Sequence, residues 1–467
     1  MIRILFFYCL LWCSSTLCAQ DSLRYLSEQQ VMDMVRAYHP VSRQAAIVTA
    51  KADADITIAR GEFDPVFFQE QAQKTFDGTR YYSYSRPQVT IPTWLGVDIV
   101  GGLEYLSGDR TDPEDTKGRT SFAGISVPLA KNLLMDKRRA ALKTAKIFQQ
   151  SSRAEQRRML NDLLLQAAKA YWYWVKHYQL YRLADDAVKV NEQRLQLVRT
   201  AFRLGDRPAI DTTETQSQLL SFSVLRENAR MEWQNAALEL SVFLWSPEGL
   251  PLKMPQQTIP SDENNLLSGV RDPLPALDSL LAVAQKNHPE LLLYQYKLGS
   301  LAVERKLKFQ QLLPAVNFRY NQLSKSYNIF QSKGPLFENN YRFGFYISMP
   351  LRLSEGRGEY RKAKLKIQET QLGLNLKQVE LEQKIRSGYN ELVALKNQVQ
   401  LQERAHQAYL ALQRGEETRF NGGESSLFLV NARENKTLEA LQKLQELRVK
   451  FRIAGWYLRW TAGDLAN

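Results

Sequence analysis

Tyr341-Arg-Phe-Gly-Phe-Tyr-Ile-Ser-Met-Pro-Leu351 decides the fold of this chain. Within it Tyr341, Phe343, Phe345, Ile347 and Met349 alternate with Arg342, Gly344, Tyr346 and Ser348. Side chains of a strand point to opposite faces in turn, so the stretch predicts a strand with one apolar, aromatic face and one small or polar face. From about Ser354 to Phe420 helix breakers are almost absent, which predicts one helix of roughly 60 residues, against about 11–12 for the helices of ordinary globular domains. Ile125-Ser-Val-Pro-Leu129 repeats the strand exit Ile347-Ser-Met-Pro-Leu351, and a second long helix follows it, from about Asp136 to Leu204. The chain reads as a duplicated unit of strand and long helix.

Three landmarks recur in the same order. His39-Pro40 and His288-Pro289 each close a short helix, because the residue before proline is pushed out of the helical region. The Pro-Leu strand exits come next, then the helical breaks Phe202-Arg-Leu-Gly205 and Phe420-Asn-Gly-Gly423. The His-Pro pairs are 249 residues apart (Pro40 to Pro289), the exits 222 (Pro128 to Pro350) and the breaks 218 (Gly205 to Gly423). The distance from strand exit to break is thus nearly kept, while the first half carries 27 more residues ahead of its exit. That is the size of one hairpin with its loop, and Gln88–Asp115 is the obvious stretch.

The halves divide as follows. Residues 1–19 read as a secretory signal peptide, with one positive charge and then a short apolar core. Residues 20–245 are the first repeat, with strands within about 63–129 and a helical hairpin over about 131–245. Residues 246–273, rich in Pro, Asp, Asn and Gly, are the linker. Residues 274–467 are the second repeat, with strands at about 314–351 and a helical hairpin at about 354–460. Val316, Phe318 and Tyr320 alternate there with Asn317, Arg319 and Asn321, as Val97, Ile99, Gly101, Leu103 and Tyr105 alternate with polar or small neighbours in the first half. In each half two shorter helices, of about 19 and 34 and of about 23 and 36 residues, flank a helix of about 69 or 66. Stacked end to end, the short pair matches the long helix as a rod of antiparallel coiled coil.

Composition narrows the function. Cys9, Cys13 and Cys18 all lie in the signal segment, so disulfides, thiolate metal sites and a cysteine nucleophile are not expected downstream. An acylated Cys18 is the alternative to simple cleavage, although Leu17 before it fits that poorly. The net charge of +13 comes from basic residues interspersed with Glu and Gln along helices, which with export excludes nucleic acid as a partner. No later apolar run approaches the ~18 residues of a helical span. A chain that enters a bilayer with strands must close them into a barrel, and four core strands fall short of the smallest membrane barrels, of about 8. Strands from several chains must therefore combine. The four histidines lack metal-ligand spacing, and no phosphate loop, nucleophile elbow or shared carboxylate pair is present: no enzyme, metal or cofactor is expected. Tyr171-Trp-Tyr-Trp174 with His177, Tyr178 and Tyr181 reads as helix packing.

Leu26-Ser-Glu-Gln-Gln30, the His-Pro pairs, Leu312-Leu-Pro314, the Pro-Leu exits, the glycine breaks and Phe428-Leu-Val-Asn-Ala-Arg433 together resemble the TolC-type outer-membrane efflux protein family, over essentially the whole mature chain. The resemblance implies an α+β membrane protein: a homotrimer whose four strands per subunit form a 12-stranded outer-membrane β-barrel, continued by a periplasmic α-helical coiled-coil barrel. It implies membrane-facing Phe343, Phe345, Ile347, Val316, Phe318 and Tyr320, in contact with outer-membrane lipid. Pro128, Leu129, Pro350 and Leu351 would mark the barrel-to-helix transition, and the linker the equatorial belt. Gly205, Asp211, Gly422, Gly423 and Leu429 would form the periplasmic tip, gate and docking site for an adaptor (membrane fusion) protein and an inner-membrane transporter.

The implied function is the exit duct of a tripartite efflux or type I secretion system. The alternative is a periplasmic coiled-coil adaptor or rod that never inserts. The family commonly places an aspartate six residues after the glycine. Gly205 and Asp211 fit, but Gly423 is followed there by Leu429, which removes support for an acidic ring. Asp211 has two readings, the N-cap of its helix or a gate-closing salt bridge. Glu424 and Glu434 read as solvated helix charges.

Overall fold

The computed structural model describes residues 25–112, 115–255, 258–261, 273–328 and 336–465. The expected signal segment with its cysteines and much of the 246–273 linker lie outside the described residues.

The residues gather into two units, and each draws on both halves of the sequence. Like parts of the repeats associate, so the sequence halves are not the packing units. One unit takes its described residues from Val41–Asp162, Pro275–Gly388 and Leu458–Asn467. Its sheet contains β2 (Val66–Phe76), β3 (Thr79–Pro92), β4 (Asp98–Ser107), β5 (Gly118–Pro128), β7 (Ala315–Lys325) and β8 (Tyr341–Ser348). They run in the order β2-β3-β4-β5-β7-β8, antiparallel throughout. Around it lie α2 (Pro40–Gly61), α5 (Leu277–Asn287), α6 (Pro289–Phe309) and the first parts of α3 (Lys137–Arg203) and α7 (Ser354–Asn421).

The sheet corrects the expected four strands plus an unplaced hairpin. Among the described residues six strands form one continuous wall, and the Tyr/Ser-rich stretch Tyr81–Ser85 lies within one of them, β3. Asp77-Gly78, with φ of 50° and 70°, makes the two-residue hairpin turn that joins β2 to β3. The added strands are anchored at their helix-proximal end. In the β3–β4 turn the Trp94 ring stacks on Phe63 at 4.5 Å, and the Arg139 guanidinium donates to the Leu95 carbonyl at 3.5 Å.

The other unit takes its described residues from Met1–Pro40, Leu163–Leu274 and Tyr389–Tyr457. It holds α1 (Glu28–Tyr38), α4 (Ala209–Ser241), most of α8 (Leu427–Ala462), the later parts of α3 and α7, and a short parallel pair of β1 (Tyr25–Leu26) with β6 (Ile259–Pro260). Ser27 caps α1 in a reciprocal box with Gln30. The aromatic segment of α3 packs into this unit, with Tyr171, Trp172 and Trp174 fully buried. The Glu28 carboxylate accepts from Trp172 Nε1 at 2.6 Å and from Trp456 Nε1 at 2.5 Å. Trp233 is stacked on Tyr181 at 5.2 Å, as a helix-packing role requires. α3 and α7 have 67 and 68 residues, while α2 with α4 has 22 and 33, and α6 with α8 has 21 and 36.

Candidate functional site: helical turns and sheet faces

The α3–α4 and α7–α8 turns share one backbone. Gly205 N–H donates to the Phe202 carbonyl at 3.0 Å and Asp206 N–H to Ala201 at 3.0 Å. Gly423 N–H donates to Phe420 at 3.1 Å and Glu424 N–H to Arg419 at 2.9 Å. These paired bonds close a helix C-terminus with its next residue in the left-handed region, and Gly205 (φ 85°) and Gly423 (φ 80°) take that place. A Cβ at either would meet open space, so glycine is needed for its backbone and not for room. Gly422 does not share this constraint: it has no positive φ, and its Cβ would make only ordinary contacts, at 3.5 Å and beyond.

Asp211 is not an N-cap. Pro208 holds that position without a side-chain bond, and α4 begins at Ala209. Asp211 therefore sits in the first turn, where an acidic group suits the helix dipole. Its carboxylate lies 3.9 Å from the Arg207 guanidinium. Arg207 in turn lies 4.0 Å over the Phe420 ring and donates to the Phe420 carbonyl at 3.3 Å, tying the first turn to the second. Leu429 is exposed, between the buried Leu427 and Val430.

Glu434 corrects the reading of a solvated charge. It is buried and accepts from both terminal nitrogens of Arg194, at 2.6 and 3.1 Å. Asn191 donates to the same carboxylate at 3.3 Å. Arg194 also reaches Asn431 at 3.4 Å, and Asn431 donates to Glu214 at 3.1 Å. The network joins α3, α4 and α8. Glu416, also buried, accepts from the Ser425 hydroxyl at 2.5 Å. The sequence did carry a signal for Glu434: it falls on the buried stripe Leu427, Val430, Thr437, Leu444 at helical spacing.

On the sheet, register places Val316 opposite Ile347, Phe318 opposite Phe345 and Tyr320 opposite Phe343. The same face continues through Ile125 and Val127 to Ile99, Ile91, Val89 and Phe67. The opposite face carries Arg319, Arg342, Asp98, Glu104, Arg86, Glu70 and Lys74, with Arg86 4.0 Å from Glu104. One side is thus apolar towards the helix-proximal strand ends, while the other carries most of the charges, with Phe68, Phe122 and Tyr346 among them. The two strand exits differ: Leu129 N–H donates to the Val316 carbonyl at 2.7 Å, whereas Leu351 beyond Pro350 is fully exposed. Among the described residues no helix is long and apolar enough to cross a membrane, and no group of three His, Cys, Asp or Glu residues is placed to hold a metal ion.

A strand wall of this kind feeding duplicated long helical hairpins is the fold of outer-membrane channels. More narrowly, the chain resembles the outer membrane efflux proteins, whose family model matches residues 96–244. Among solved structures, the outer membrane protein VceC of Vibrio cholerae is similar over 93% of this chain and 96% of its own, with 14% identity and a TM-score of 0.63. The MtrE outer membrane channel of Neisseria gonorrhoeae matches over 94% and 88%, with 14% identity and a TM-score of 0.64. The CmeC outer membrane channel of Campylobacter jejuni matches over 94% and 85%, with 13% identity and a TM-score of 0.62. No curated protein sequence matches this chain.

Proposed function

We propose that this chain is the exit duct of a tripartite efflux or type I secretion system, seated in the outer membrane and extending into the periplasm. It acts as a homotrimer, passive and gated, with lipid against the apolar sheet face and solute passing along the charged one. The glycine turns are the periplasmic tips. There an adaptor protein and an inner-membrane transporter dock and shift a closed–open equilibrium. The observation that carries the reading is the sheet with one apolar face, whose strands lead into helices of 67 and 68 residues. In the gate, Arg207, paired with Asp211 of its own turn, holds the two turns of a subunit together through Phe420.

The test is single-channel conductance of the detergent-extracted full chain in planar bilayers. Small, long-lived openings are expected, and Arg207→Ala should raise the mean conductance by freeing one turn from the other. A protein that stays soluble without detergent and gives no channels would remove the duct reading.

A further inference from the structure

We propose that the β3–β4 hairpin is part of the membrane wall, so that three copies close an 18-stranded barrel in which β2 of each copy pairs with β8 of the next. This rests on the trimeric duct reading and goes beyond it, because it fixes the interface between copies and the width of the pore.

The first observation is topological. The hairpin lies in the middle of the sheet, paired with β2 on one side and β5 on the other. Removing it would leave β2 without its only partner among the described strands. Six strands per copy in three copies give 18. Six is an even number, so the edges β2 and β8 run in opposite directions, and identical copies joined edge to edge stay antiparallel all round the ring. A head-to-tail contact of this kind closes when the rotation fits. In hydrocarbon neither edge can stay open.

The second observation is the register. A row of cross-strand partners leads from Val66 through Thr90, Val100, Gly124 and Asn321 to Arg342. Arg342 is six residues short of Ser348, the end of β8. If Val66 of the preceding copy lies opposite Ser348, the row advances six residues per copy and eighteen around the ring. With a rise of ~3.3 Å per residue and a strand spacing of ~4.8 Å, that shear tilts the strands by about 35°. Membrane barrels tilt by about 35–45°. An advance of two or four residues per copy gives only about 13° or 25°. An advance of eight also tilts acceptably, but it pushes β8 across the register shift at Lys74/Thr75. The six-residue advance places all eight residues of β8 against the regular run Val66–Gln73.

Chemistry supports the same pairing. Every residue of β8 and all but one of β2 are exposed, as edges awaiting partners would be. Gln69, Gln71 and Gln73 stand on the same face as Ser85, Ser121 and Gln322, and the pairing sets Phe345, Phe343 and Tyr341 of the next copy beside the three glutamines. On the charged face Glu70 becomes a diagonal neighbour of Arg342. The barrel would be about half again as wide as one of twelve strands.

The test is disulfide trapping in the full-length chain reconstituted in lipid nanodiscs, with the strands counted by electron cryomicroscopy. Gln71→Cys with Phe343→Cys, and separately Phe68→Cys with Tyr346→Cys on the other face, should each give covalent trimers on oxidation. The off-register pair Gln71→Cys with Ile347→Cys should not. An 18-stranded wall with both pairs trapped upholds the inference. A trimer with a 12-stranded wall and the hairpin outside it overturns the inference and leaves the duct intact. A chain that forms no membrane trimer overturns the duct itself.

Discussion

The first and second halves agree where backbone decides and diverge where side chains decide. Their helical turns have the same hydrogen bonds, and their glycines have φ of 85° and 80°. Yet the first turn holds its charge in Arg207 and Asp211, the second in Glu416 with Ser425. A duplicated chain must keep the length and closure of each hairpin, since both hairpins have to turn after nearly the same number of residues. Its polar groups are free to specialise, and Arg207 and Arg194 of the first half reach across to Phe420 and Glu434 of the second.

The strongest such link is Arg194 to Glu434, first half to second. Arg194→Ala would leave a buried carboxylate without its cation, a loss of about 3–5 kcal/mol in buried pairs. The expected result is early hydrogen exchange in α8 and a lowered midpoint of helical unfolding by circular dichroism. Arg194→Met with Glu434→Leu should recover most of the loss, because apolar replacement of both partners removes the desolvation cost. If Arg194→Ala unfolds no more easily than the native chain, the halves are held by apolar packing alone.

A smaller effect tests what the turns share. Gly205→Val and Gly423→Val should each cost about 1–2 kcal/mol, the price of a left-handed conformation for a residue with a side chain. Gly422→Val should lie well below both, since its backbone is ordinary. Three equal losses in thermal unfolding would mean that crowding, rather than φ, rules the turn.

Much of this was legible in the sequence. Alternation and spacing located β7, β8 and the long helices, because a buried or membrane face imposes period two and a helix merely needs the absence of breakers. The glycine turns followed from a residue type that alone tolerates their φ. β3 is harder to read: Tyr81-Tyr-Ser-Tyr-Ser85 alternates, but its composition imitates a turn, and pairing with β2 and β4 marks it as strand. Of the two readings of Asp211, the N-cap gives way because Pro208 fixes the start of α4 ahead of it, while a charge partner stands in Arg207. Glu434 has the residue type of a solvated face, but its place on the buried stripe of α8 decides its burial.

The smallest effect expected comes from the matched His-Pro turns. His39 (φ −63°, ψ 137°) and His288 (φ −62°, ψ 125°) have nearly one backbone. Their surroundings differ. His39 lies against Phe243 at 5.9 Å and edge-on to Trp245 at 6.1 Å. The Nδ1 of His288 accepts the Glu290 N–H at 3.2 Å, with Lys377, Asp162 and Lys384 nearby. Burial lowers the pKa of both below 6.5. The unfolded chain therefore binds these protons first. Each histidine contributes stability that is present above pH 6.5 and is lost as pH falls through the lower folded value. Thermal unfolding followed from pH 7.5 to 5 should show this loss. His288→Gln should flatten the profile more than His39→Gln, because protonation at His288 Nδ1 also turns a cap acceptor into a donor facing an N–H. Equal flattening would mean that burial alone sets both responses and that the difference in partners has no consequence. A greater effect at His39 would place the acid-sensitive point of the duplication in the first half, against its aromatic neighbours.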